Sequence, residues 1–163
     1  MNSTFFRGQC TILLGVIVLA LSAAGCGTEK LGKKEYAARM ERVSSARNTI
    51  PPDTELIDEK AAVSAQAVIK IAHNMKSVNA ELREFEPDDP DAARTHKDLV
   101  ETCVHQQELL EWLANRIQHE GVYEAMYGKD FVTRNLRLQE EVGIATRALV
   151  KDGWLDEETA IAF

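Results

Sequence analysis

At 163 residues the chain has room for one domain with a core of its own. With 45% hydrophobic and 28% charged residues, nine glycines and four prolines, it has the composition of a globular body and not of a disordered or fibrous chain. The formal net charge of -7 is unevenly spread: residues 27–50 carry six Lys/Arg against three Asp/Glu, and residues 51–163 carry twelve against twenty-three. An acidic body repels phosphate backbones, so nucleic acid is excluded as an expected partner.

Residues 1–25 have the layout of an export signal. Arg7 and the amino terminus are positive, an apolar run extends from Ile12 to Ala20, and the small residues Ser22, Ala23, Ala24 and Gly25 lead to Cys26. The stretch Leu21-Ser22-Ala23-Ala24-Gly25-Cys26 resembles the lipobox of bacterial lipoproteins, with Ala23 where that family usually has Leu. The resemblance implies cleavage before Cys26 and a diacylglyceryl thioether on its sulfur. Two acyl chains anchor stably, because each buried methylene contributes about 0.8 kcal/mol. The competing reading is an uncleaved membrane helix, since residues 8–28 carry no charge. Of the three cysteines, Cys10 falls in the discarded segment and Cys26 is acylated, which leaves Cys103 as a lone thiol.

Residues 26–32 read as a lipidated tether and 33–152 as a helical bundle. A first helix runs from Lys33 to about Thr49, with Tyr36, Met40 and Val43 on one face. Pro51-Pro52 breaks the chain, and Asp53 or Thr54 can cap the next helix. In that helix Ala61, Ala65, Val68, Ile71, Met75, Val78, Leu82 and Phe85 recur at steps of three and four. Glu86-Pro87-Asp88-Asp89-Pro90-Asp91 is a turn by composition. Leu99, Cys103, Gln106, Leu110, Leu113 and Ile117 form the next stripe, ended by Gly121. Phe131, Asn135, Leu138, Val142, Ala145 and Leu149 form the last, ended by Asp152-Gly153, and residues 153–163 are left as a tail. Four helices with short breaks predict an all-α fold, an up-and-down antiparallel four-helix bundle.

Chemistry is harder to find in this pattern. Di-iron bundles place Glu three residues before His on two helices. The residues three before His73, His96, His105 and His119 are Lys70, Ala93, Thr102 and Arg116. Glu101, His105 and Glu108 share one helix face, which allows a surface metal contact or a solvated row of paired side chains. No G-x-S-x-G, phosphate loop or C-x-x-C-H occurs, so no catalytic residue and no cofactor is expected. Tyr123, Met126 and Tyr127, in the break before the last helix, either grip a partner or cap the bundle end. Trp112 and Trp154 read as bundle flanks. Gln106 and Asn135, polar on apolar stripes, read as register-setting hydrogen bonders.

The lipobox, the Lys33-Lys34-Glu35-Tyr36 start and the helical body resemble the small α-helical lipoproteins of actinobacteria. The resemblance implies export and a lipid anchor on the outer face of the cell membrane or on the outer membrane. It points to a binding or interaction module whose partners are the membrane, through Cys26, and an envelope protein or small ligand. The alternative is a metal-binding or enzymatic bundle.

Overall fold

The computed structural model describes residues 27–48 and 61–163. The expected signal segment 1–25, the lipidation candidate Cys26, the expected break at Pro51-Pro52 and its capping candidates lie outside the described residues. The described chain is mostly helical. The elements run β1 (Glu29–Leu31), α1 (Lys33–Asn48), α2 (Ala61–Leu82), β2 (Phe85–Pro87), α3 (Pro90–Glu120), α4 (Val122–Tyr127), α5 (Lys129–Lys151) and α6 (Glu157–Ile161).

The longest helix, α3, packs against α2 on one side and α5 on the other. Its start is set by local chemistry. Pro90 occupies the first turn, where a missing N–H costs nothing, and the Asp89 carboxylate accepts from the Asp91 and Ala92 N–H groups at 3.0 and 2.9 Å. Asp89→Ala is expected to lower stability by about 1 kcal/mol, read from the urea midpoint at unchanged slope. At its other end α3 stops at Gly121, whose φ of 93° lies in the region that favours glycine.

The apolar stripes face inward as their spacing requires. Tyr36, Met40 and Val43 of α1 are buried, as are Ala65, Val68, Ile71, Met75, Val78 and Leu82 of α2. So are Leu99, Cys103, Leu113 and Ile117 of α3, and Val142, Ala145 and Leu149 of α5. These side chains form two clusters along α3. One lies around Tyr36, Leu82, Phe85 and Leu99, the other around Val68, Leu113 and Ile117.

Expectations in three regions need correction. Residues 29–31 are not tether but a strand, paired in parallel with 85–87 in the register Glu29 to Phe85, Lys30 to Glu86 and Leu31 to Pro87. Phe85 is therefore not the last residue of the α2 stripe. The helix ends at Leu82, Pro87 favours extended backbone at Glu86 before it, and Phe85 reaches the core from β2. Second, the break holding Tyr123 and Tyr127 is a short helix, α4. Third, residues 153–163 are not a free tail. Trp154 and Leu155 are buried in the first cluster with Phe163 against it, and Asp156 caps α6 by accepting from the Thr159 N–H at 2.6 Å. Trp154 is thus core and not flank, in an edge contact with Tyr36 at 5.7 Å.

The strand pair and the end of α5 mark one end of the described body. β1 leads through Gly32 into α1, and β2 leads through Asp88-Asp89 into α3. The end of α5 returns there too, since Lys33 Nζ donates to the Asp152 carbonyl at 2.6 Å. Among the described residues no helix is long and apolar enough to cross a membrane.

Candidate functional site

The stripe of α1 continues past Val43 by one more step of four to Arg47, a cation where the pattern calls for an apolar residue. Gln106 on α3 and Asn135 on α5 break their own stripes in the same way. The fold brings these three helices' exceptions to one cleft of about 350 Å3, whose apolar lining includes Ile71, Met75, Leu110 and Phe131.

Arg47 lies in the last turn of α1 and reaches onto α3. Its Nη1 donates to Cys103 Sγ at 3.2 Å and its Nη2 to Gln106 Oε1 at 2.6 Å, while the guanidinium lies over the Phe163 ring at 5.5 Å. All three partners are neutral. Asn135 is half-buried and Gln139, one turn further along α5, is exposed at the rim of the same cleft. Gln106 therefore does form the hydrogen bond expected of it, but to an arginine. Asn135 makes none with the described residues and does not act as a register bond there. Sequence reasoning missed Arg47 because charge at a helix C-terminus is ordinary; its place on the Tyr36-Met40-Val43 stripe was the usable signal.

Cys103 sits beneath this cluster, fully buried. Burial pushes its thiol up, and the nearby Arg47 offsets this only in part. A buried thiol held protonated packs as a small hydrophobe and is a poor nucleophile. Its backbone carbonyl accepts from Asn79 Nδ2 at 3.0 Å, which ties α2 to α3 at the same level.

Glu101, His105 and Glu108 are exposed on the other side of α3. His105 and Glu141 line a groove between α3 and α5, and Glu101 pairs with Lys97 at 3.9 Å. No three His, Cys, Asp or Glu among the described residues are gathered where they could hold a metal ion.

Tyr123 and Tyr127 are 71% and 58% exposed and lie against each other at 4.9 Å, so neither caps the bundle end. Met126 does, packing into the second core cluster beside buried Ala125. Trp112 is a half-buried flank with Arg116 and Arg134 over its ring at 4.8 and 5.1 Å.

His96 is the one histidine in the core of the described chain. Leu82's carbonyl can only accept, so the 3.0 Å contact from His96 Nε2 puts the ring proton there. Nδ1 is left to accept from the Tyr36 hydroxyl at 2.9 Å. Tyr36, Phe85 and His96 pack ring to ring around this pair. The dyad is buried and joins α1, α2 and α3.

Compared with known proteins, the chain matches no family model, no curated protein and no solved structure.

Proposed function

We propose that the protein is an exported lipoprotein, cut before Cys26 and lipid-anchored there. In this reading its four long helices form an up-and-down antiparallel bundle that serves as a binding module at the membrane surface. The observation that carries the anchor is the lipobox, together with how near Cys26 stands in the chain to β1. Only Gly27 and Thr28 separate Cys26 from β1. Three residue steps span at most about 11 Å, so an acylated Cys26 holds the strand-pair end of the body against the headgroups.

Support for the bundle arrangement comes from the same end. α1 and α3 both leave from the strand pair, while α2 and α5 both finish beside it. The parallel pairing of β1 with β2 follows from this, because the two intervening helices restore the chain's original direction. Support for binding comes from the cleft, in which apolar walls and a few convergent polar groups meet as they do in small-molecule sites.

The test is the intact mass of the protein extracted from membranes. The expected mass begins at Cys26 and includes acyl groups. A full-length chain without acyl groups would mean an uncleaved helical anchor and overturn the lipoprotein reading.

A further inference from the structure

We propose that the cleft beyond the end of α1 binds a small amphiphile with an anionic head, its carboxylate on Arg47 and its apolar chain along Ile71, Met75, Leu110 and Phe131. This rests on the reading of the body as a binding module and names the class of ligand.

The argument starts from helix lengths. α1 has 16 residues and α3 has 31. At 1.5 Å per residue they span about 24 and about 46 Å, so α1 lies along only about half of α3. Arg47 lies in the last turn of α1, at the edge of the cleft framed by α2, α3, α5 and residues 161–163. Phe131, Asn135 and Gln139 mark the α5 wall, and the eight residue steps from the first to the last span roughly 12 Å.

The head position follows from charge. Arg47 is half-buried and makes no ion pair with a carboxylate among the described residues. Its partners are a thiol sulfur, an amide oxygen and a ring face, and each is weaker than a carboxylate for a guanidinium. Such a cation favours an anion over a neutral or cationic head. Asn135 and Gln139 carry side-chain amides on the same cleft with no hydrogen-bond partner among the described residues, and their N–H groups can donate to the same head. The remaining lining is apolar and calls for an alkyl or aryl body, not a free inorganic anion.

The experiment titrates octanoate, labelled with 13C at its carboxyl, into the full chain held in lipid nanodiscs, with empty nanodiscs as the blank. Binding is expected to saturate, and the bound carboxyl is expected to titrate below the free acid because Arg47 favours its charged form. Partition into lipid would move that titration the other way. Arg47→Gln is expected to weaken binding about tenfold or more, as loss of a charge-assisted pair does. Gln139→Glu, at an exposed position, is expected to weaken it by placing a carboxylate at the rim, and it serves if Arg47→Gln fails to fold. Octylammonium is expected not to compete. Non-saturating uptake, binding unchanged by both substitutions, or competition by octylammonium equal to that by octanoate would each overturn the proposal. The anchor is read separately from intact mass, so an acylated protein that ignores octanoate refutes the ligand and leaves the anchor standing.

Discussion

Cys26→Ser is expected to abolish acyl labelling completely and to leave residues 1–25 on the chain. Acylation at a lipobox forms a thioether, and a serine hydroxyl ionises too poorly to replace the thiolate nucleophile. Two acyl chains bury many methylenes at about 0.8 kcal/mol each, whereas the retained segment offers a strongly apolar run only from Ile12 to Ala20. The variant is therefore expected to be released from membranes by alkaline extraction that leaves the native protein bound. Labelling with a palmitate analogue followed by intact-mass measurement checks both points. Cys103→Ala serves as the control and is expected to retain the label, because that thiol is buried and held protonated. Label that persists in Cys26→Ser and vanishes in Cys10→Ser would place the modification elsewhere and sink the assignment.

The inward faces of the helices are legible in the sequence because a packed helix repeats its contacts at three and four residues. The buried set Ala65, Val68, Ile71, Met75, Val78 and Leu82 follows from that spacing alone. The same rule misleads at Phe85. Its step of three from Leu82 fits the stripe, yet the residue arrives in the core from a strand. Strand pairing between segments far apart in sequence leaves no periodic trace over three residues, so β1 reads as tether. Trp154 and Leu155 are missed for a related reason, since their burial depends on where α5 delivers the chain end and not on a repeat. The cleft was half legible. Gln106 and Asn135 stand out as polar residues on apolar stripes, but only the three-dimensional arrangement joins them to Arg47. The row Glu101, His105 and Glu108 shows the converse: a shared helix face brings side chains alongside one another without closing them around an ion.

Stability is expected to fall as pH drops below the ordinary histidine range, and His96 is expected to carry most of the early loss. In the folded protein burial pushes His96 down, against smaller upward pulls from the Leu82 backbone bond, the charge of Glu86 and the Phe85 backbone. Its Nδ1 lone pair is already committed to the Tyr36 hydroxyl, itself pushed up by burial and so a donor throughout this range. In the unfolded chain His96 titrates near its ordinary value of about 6.5. Above that value neither state binds the proton, and stability is independent of this group. Below it the unfolded chain takes up a proton that the folded ring refuses, so stability declines until the pH reaches the lowered folded value. The slope for one such group approaches at most about 1.4 kcal/mol per pH unit. Urea unfolding at several values between about pH 7.5 and pH 5 measures the effect. His96→Gln is expected to flatten the profile while costing about 1–3 kcal/mol at neutral pH through imperfect pairing of the Tyr36 hydroxyl and the Leu82 carbonyl. Tyr36→Phe is expected to cost a similar amount by orphaning Nδ1, and to keep the pH dependence, because the ring that titrates is still there. A profile that stays flat in the native protein would mean that His96 is not the acid-sensitive joint between α1, α2 and α3, and one equally steep after His96→Gln would assign the decline to other groups.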